Sequence, residues 1–342
     1  MKTEKQLGQI LQFLAERQGE NGEFRSLESY PPEHPLGDKG WFYTDPSPFV
    51  HANVLCAISG LSDPLAAQIM KQGCHFLLHQ MEWKGLWRFW AHGEQTHNVP
   101  IDLDDTALCS FALASGGFPL DNKKYILQNV NADGYCLTWL LPRLGMWRYP
   151  ALYRFLKKDL RNIQLVLASP MLSLDDFEPA VAANVLLYLG ETPKTRPCIL
   201  QILQQLEKPN SMPLQYYADP LVVFYHVSRA YFHGVKGLGP AADIFRRLVA
   251  QGVLAEPENL FKKAMMAATC LHFNLDILPD LDKWIAEIGE AAENAQWESH
   301  IYFVSKDRNF RAGSPELTAA FCAEALSLYQ AKKETVYSEL NR

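Results

Sequence analysis

Helical periodicity runs through almost the whole chain, and it comes in two alternating kinds. One kind is amphipathic with a charged face, over roughly 3–18, 63–80, 122–130, 193–208, 239–251 and 278–292. The other is apolar nearly all round and rich in small residues, over roughly 48–60, 102–115, 177–190, 219–233, 259–274 and 314–331. A helix with no polar face must be covered on every side. Strict alternation of covered and half-wet helices, with Pro or Gly at most junctions, predicts about six helical hairpins arranged in a ring. The inner helices line that ring and the outer ones sheath it. The predicted fold is therefore all-α, a single (α/α)6 barrel domain over residues 1–342. An open solenoid would need polar capping repeats and a wet concave face, and the sequence offers neither.

Two long segments interrupt the alternation. Residues 19–47 read as loop, as does much of 131–158, where Trp139, Trp147, Tyr149 and Tyr153 cluster. Residues 296–310 alternate enough to predict a short hairpin. Long loops on a barrel build its mouth. Hydrophobic residues make up 48% of the chain and charged residues 20%, enough to fill a large core. A net charge of −6 argues against nucleic acid as a partner. The seven cysteines are odd in number, scattered and never in CxxC spacing, which speaks against a disulfide framework and a zinc ribbon. The N-terminal residues form a charged amphipathic pattern rather than a signal peptide, and no apolar run is long enough to span a bilayer. A cytoplasmic protein is expected, and peripheral contact with a membrane surface stays compatible with the pattern.

The sharpest local signal is Pro100-Ile101-Asp102-Leu103-Asp104-Asp105-Thr106-Ala107, which opens a covered helix. Three carboxylates within four positions are costly inside a barrel unless protons are shared among them. The competing reading keeps them at the surface, with Asp102 capping the helix and Asp104 and Asp105 favouring its positive end.

The stretch GLWRFWAHGEQTHNVPIDLDDTALCSFALA resembles the region around the DxDD motif of class II terpene cyclases of the squalene–hopene type. That family also carries degenerate repeats of the form Q-x3-G-x-W at hairpin ends. Here Gln18, Gly22 and Phe24 fit with Phe for Trp, and Gln80, Gly85 and Trp87 fit with one extra residue. The helices ANVLLYLG and GSPELTAAFCAEAL are similar to the family's inner helices. Familiar members have two or three helical domains and this chain has room for one, so it resembles the single-domain bacterial meroterpenoid cyclases. The resemblance implies a polyprenyl substrate attached to an aromatic head, no cofactor and no metal. It further implies that Asp104 is the proton donor and that Asp102 and Asp105 orient and support it.

Chemistry gives these residue types a reason of their own. An isolated alkene is a very weak base, so protonating it requires a dry, neutral and fixed carboxylic acid. Crowded carboxylates raise at least one apparent pKa. The carbocation that follows is stabilised by aromatic faces, worth roughly 0.5–2 kcal/mol each. Aromatic residues reach 12% here, which fits that demand.

If the inner helices run parallel, the pocket lies at their N-terminal ends. Candidate lining residues are then Phe49, His51, Asn53, Phe177, Phe224, Tyr225, Phe261, Met265 and Phe321, with Trp41, Trp90, Trp297 and Tyr302 from loops. Ordinary core packing competes for each of them. His51 and Asn53 need partners on an apolar helix, and a hydrogen bond from one of them to the acids is expected. Tyr225 and His226 are both candidates to accept the final proton. Arg88, Arg143, Arg148, Lys306, Arg308 and Arg311 lie in loop-like segments where they could meet an anionic head group.

Three other motifs lead elsewhere and stop short. His92-Gly93-Glu94-Gln95 resembles a thioester motif but has His at the required Cys. Cys270-Leu271-His272 lacks the remaining ligands of a prenyltransferase zinc site. Paired acids also hydrolyse glycosides, but a polar sugar cleft does not fit these apolar helices. The expected function is protonation-initiated cyclisation of a linear polyprenyl chain carried on an aromatic acid head. The alternatives are a diphosphate or alcohol head, or a prenyl-binding barrel without catalysis.

Overall fold

The computed structural model describes residues 2–43, 46–93, 99–142, 146, 148–158, 176–209, 212, 214–217, 219–275 and 280–340. The helices among them are α1 (Lys2–Arg17), α2 (Pro48–Ile58), α3 (Pro64–His79), α4 (Leu103–Ser115), α5 (Lys123–Ile126), α6 (Pro150–Lys158), α7 (Pro179–Leu189), α8 (Arg196–Leu206), α9 (Pro220–Phe232), α10 (Ala241–Ala250), α11 (Leu260–His272), α12 (Leu281–Asn294) and α13 (Pro315–Leu340). Helices α2, α4, α7, α9, α11 and α13 each pack on the next, and α13 packs back on α2, so the ring closes. Outside it, α1 lies on α13 and α12, α3 on α2, α8 on α7, α10 on α9 and α12 on α11.

Residue pattern explains which helix goes where. Every residue of α2 and of α7 is buried, as a helix lacking a polar face requires. Outer α10 buries Ala241, Ile244, Phe245 and Leu248, a three-to-four spacing that leaves one side to water. Starts are set by local chemistry. Ser47, Asp102, Asp219 and Asn259 cap α2, α4, α9 and α11 with their side chains, and Pro48, Pro179 and Pro220 stand in the first turns.

Differences from the sequence reading are local. The outer helix expected over 122–130 is the single turn α5, because Asn129 Nδ2 donates to the carbonyls of Leu137 and Trp139 and the chain reverses there. Conversely, part of the segment read as loop is the amphipathic helix α6, which buries Leu152 and Leu156. The last helix runs on to Leu340 instead of stopping near 331. The hairpin expected over 296–310 sits slightly later, as β3 (Phe303–Val304) and β4 (Arg311–Gly313). It joins β1 (Leu27–Ser29) and β2 (Phe42–Tyr43) in a four-stranded antiparallel sheet of order β2-β1-β4-β3. Leu27 pairs with Gly313 and Phe303 with Ala312, so the two ends of the chain meet over the mouth.

The glutamine–glycine repeats are staples between outer helices and loops. Gln18 Nε2 donates to Gly22 O at 2.9 Å and Ile69 O at 3.1 Å. Trp87 Nε1 donates to Leu77 O at 3.0 Å. Gly22 has φ 89°, and a Cβ added there would stand 2.2 Å from the Gln72 carbonyl oxygen. Gly22→Ala is therefore expected to cost on the order of 2–4 kcal/mol through backbone strain and collision. Urea unfolding measures it, and a loss under 1 kcal/mol would mean that this turn yields freely.

Candidate active site

The acid cluster is shaped by the first turn of α4. Asp102 sits at the N-cap with φ −128° and ψ 170°, and its Oδ1 accepts the Asp105 N–H at 2.8 Å. Cap and third residue lie on one side of a helix, so these two carboxyls are neighbours. Asp104 is rotated away by about 100° per residue and faces the barrel axis. Residues 136–140 hold this turn in place, with Leu103 N donating to Thr138 O at 2.8 Å and Leu140 N to Ile101 O at 3.0 Å.

All three acids are buried, at 7%, 5% and 1% exposure for Asp102, Asp104 and Asp105. Asp104 Oδ1 accepts from Asn184 Nδ2 at 2.7 Å, and Oδ2 from the Tyr217 hydroxyl at 2.5 Å. Burial and the Asp104 charge push Asp102 up to about 7. Burial lifts Asp104 to about 6, against the opposing pull of Tyr217, Asn184 and Arg229. Asp105 is raised well above its ordinary value, by burial and by Asp102, and its Oδ2 has no partner among the described residues. The surface-cap reading thus fails on exposure, although Asp102 does cap the helix.

Beneath Asp104 lies a polar network on the axis. The fully buried Arg229 donates from NH2 to Asn184 Oδ1 at 3.4 Å and Asn53 Oδ1 at 3.3 Å, and from NH1 to the Tyr225 hydroxyl at 3.3 Å. His226 Nδ1 stands 3.1 Å from the same guanidinium. The Tyr302 hydroxyl donates to Asn53 Oδ1 at 3.0 Å and lies 2.7 Å from His226 Nε2. Tyr225 donates to Glu324 Oε2, and His272 Nε2 lies 3.3 Å from Glu324 Oε1. Every inner helix contributes: Asn53 from α2, Asp104 from α4, Asn184 from α7, Tyr225, His226 and Arg229 from α9, His272 from α11 and Glu324 from α13. Burial alone would raise Glu324, but His272, Arg229 and Tyr225 hold it below its usual value, so it is the anion facing Arg229. Burial and Arg229 keep His226 neutral.

Above this network an aromatic layer surrounds Tyr302. Its ring lies 5.7 Å from Phe49, 5.7 Å from Tyr217, 5.9 Å from Phe261 and 5.6 Å from Phe321. Phe261 also lines a mouth groove of about 380 Å³. Trp41, Val222, Met265 and Ile301 form its apolar side, and Lys262, His300 and Arg311 stand with Asp219 and Glu258 on its polar side. The groove opens over α9 and α11, and α11 is directly across the ring from α4.

The structure gathers only some of the expected lining residues. Asn53, Tyr225 and Tyr302 meet on the axis with Phe49, Phe261 and Phe321, and Trp41 lines the groove. Phe224 packs on Phe245 of outer α10, because neighbours on a helix diverge by about 100° and Tyr225 takes the axial side. His51 points outward likewise. It accepts from Phe24 N at 3.0 Å and lies 3.0 Å from Gly73 O, with burial lowering it to about 4. Neither His51 nor Asn53 bonds the acids; Asn184 does. Trp297 packs on Phe13 of α1, Phe177 on Tyr135, and Trp90 on Phe89 and Phe310 at the mouth. Arg88 is ion-paired with Glu82, and Arg308 donates to Leu214 O. Arg143, Trp147, Glu94 and Gln95 lie outside the described residues. Among the described residues no helix is long and apolar enough to cross a membrane.

Asn184, Tyr217, Arg229 and Glu324 are additions that the sequence reading missed. Three of them carried the signal that singled out Asn53: a polar side chain on a helix with no wet face.

No protein-family model and no curated protein matches the chain. Solved structures do. A protein from Actinoplanes aligns with TM-score 0.68 at 14% identity, covering 95% of this chain and 99% of that one. The type II terpene cyclase MstE from Scytonema, as an Arg-to-Ala variant in complex with geranylgeranyl dihydroxybenzoate, aligns with TM-score 0.59 at 14% identity, covering 96% and 97%. An Asp-to-Asn variant of MstE with the same substrate gives 0.57 at 14%, covering 95% and 96%. The chain thus has a type II terpene cyclase-like fold.

The acids bind protons more tightly in the folded than in the unfolded chain. Their stabilisation is complete below about pH 4 and is lost as pH rises through about 6 to 7. Asp104→Asn removes one such group, so its stability relative to wild type should improve by about 2 kcal/mol between pH 4 and pH 8. Urea unfolding across that range reads the slope, and a pH-independent difference would deny that Asp104 is a buried acid.

Proposed function

We propose that the protein is a type II terpene cyclase acting on a linear polyprenyl chain joined to an aromatic acid head. One observation carries this: a buried carboxyl on the barrel axis, its pKa raised by burial to about 6 and both its oxygens gripped, beneath a layer of aromatic rings. The shared fold with a cyclase that binds geranylgeranyl dihydroxybenzoate supports it.

In the proposed reaction, Asp104 donates its proton to the terminal alkene, and the new C–H bond leaves a tertiary carbocation. Internal alkenes attack in turn, forming rings, and loss of a proton ends the sequence. Asn184 and Tyr217 stabilise the carboxylate left behind, and Arg229 adds a positive field on its far side. Asp102 and Asp105 are themselves raised by burial and by the Asp104 charge, so they stay protonated beside it once Asp104 has given up its proton. The rings of Tyr302, Phe49, Tyr217 and Phe261 face the growing cation. The head group rests in the mouth groove, with its carboxylate on Arg311, which has no charged partner among the described residues, and its tail directed across the ring to α4.

Incubation with a prenylated dihydroxybenzoate should give a product of unchanged mass and altered retention. Asp104→Asn should lower turnover roughly 10²–10⁴-fold, as for loss of a general acid. Turnover within a few-fold of wild type would remove the assignment, and absence of product from the wild type would favour a binding protein.

Arg311→Met should raise KM for the acid substrate about tenfold or more, the value of a charge-assisted hydrogen bond. The same substitution should leave KM unchanged for an analogue lacking the carboxyl. Equal effects on both substrates would place the head group elsewhere.

A further inference from the structure

Cys136 and Cys198 lie apart from the acid cluster and the axis, and their sulfurs are 3.0 Å apart. The contact joins two elements far apart in sequence. Cys136 belongs to the segment that follows α5, and Cys198 is in the first turn of α8. The Cys136 N–H also donates to Cys198 Sγ at 2.9 Å, and Cys198 Sγ donates to Gly134 O at 3.5 Å. Both thiols are free. No neighbouring side chain separates them, whereas the other five cysteines make sulfur contacts only to backbone carbonyls or to none.

We propose that Cys136 and Cys198 form an oxidation site, closing to a disulfide when the protein meets a peroxide. The sulfur–sulfur hydrogen bond holds the Cys198 thiol below its ordinary pKa against burial, helped by the Cys136 N–H, while the same contact and burial raise Cys136. Cys198 is thus the sulfur that attacks. Its thiolate takes one peroxide oxygen to give a sulfenic acid and releases hydroxide, which becomes water. Cys136 then displaces the second water as the S–S bond forms. The two sulfurs together give up two electrons, and the peroxide is reduced to two waters.

Access is through a thin cover. Both sulfurs are buried, but the turn Asn131–Gly134 that overlies them is at the surface, with Ala132 and Asp133 exposed. Gly134, at φ 81°, rests on Pro197, the residue before Cys198. Opening this turn admits a molecule as small as hydrogen peroxide. The bond would also tie down the acid's scaffold, since residues 136–140 carry the hydrogen bonds that seat Ile101 and Leu103.

The test uses the full chain treated with hydrogen peroxide, denatured in an alkylating agent and mapped by mass spectrometry without reduction. Two of the seven thiols should escape alkylation. They should appear as one cross-linked Cys136–Cys198 peptide that dithiothreitol removes. The oxidised protein should melt several degrees higher than the reduced one, because the cross-link closes a long loop. Cys136→Ser and Cys198→Ser should each abolish the cross-link, and the Cys136→Ser protein should trap a sulfenic acid on Cys198 with a dimedone probe. Seven alkylatable thiols after treatment, or cross-links distributed over other pairs, would overturn the proposal. These readouts do not involve turnover, so they stand or fall separately from the cyclase reading.

Discussion

A guanidinium in the middle of a helical barrel must be satisfied or it will not stay there, and Arg229 organises the interior around that requirement. An unpaired buried cation costs several kcal/mol, and only hydrogen bonds with a nearby anion offset it. Glu324 supplies the charge, through Tyr225, and Asn53, Asn184 and His226 supply the acceptors. Those groups come from four different inner helices, so meeting Arg229 fixes the register of one helix against the next. Apolar packing alone would let six greasy helices slide, since any apolar face fits another moderately well. The polar axis removes that freedom.

In the proposed reaction, the same arrangement resolves a conflict built into any acid that protonates an alkene. The group must keep its proton in neutral solution and yet give it to a very weak base. Burial serves the first need by destabilising the ionised form. Tyr217, Asn184 and the field of Arg229 serve the second by stabilising the carboxylate once it exists. Neither alone would do. Without burial Asp104 would ionise in advance, and without the donors its conjugate base would be too costly to form.

The ring of inner and outer helices was legible because a helix with no polar face has only one stable place, inside. The acid cluster was legible because three carboxylates beside Thr106 and Ala107 contradict that same rule. What escaped depended on rotation about a helix axis. Phe224 and Tyr225 look alike in sequence, and only the packing of α9 against α10 sends one outward and one to the axis. His51 and Asn53 are both polar residues on α2, but two positions turn a side chain by about 200°, so one meets Phe24 and the other Arg229. Tyr217 was out of reach for a different reason. It precedes α9 in a non-helical segment with no periodicity, and a backbone bridge to Phe303 brings it over Asp104. The sheet itself joins residues nearly 300 positions apart, and strands of two or three residues carry too little pattern to announce a partner.

That sheet makes Tyr302 a link between the mouth and the axis. The residue is carried next to β3, yet its hydroxyl reaches Asn53 and His226 at the level of Arg229. On the proposed reading, a polyprenyl chain running from the groove to Asp104 passes Phe261 and then meets this ring. Displacing it exposes two buried polar groups to an apolar ligand, at about 1–3 kcal/mol for each one left unsatisfied. The ligand recovers that cost only if enough apolar surface is buried, at about 25 cal/mol per Å², to exceed it. Burying some 200 Å² offsets roughly 5 kcal/mol by that measure, the area of a few isoprene units. A short prenyl chain therefore gains little from moving Tyr302, while a long one gains a clear excess. For the proposed polyprenyl substrate, the depth of the polar axis would thus discriminate by chain length without any contact to the end of the chain.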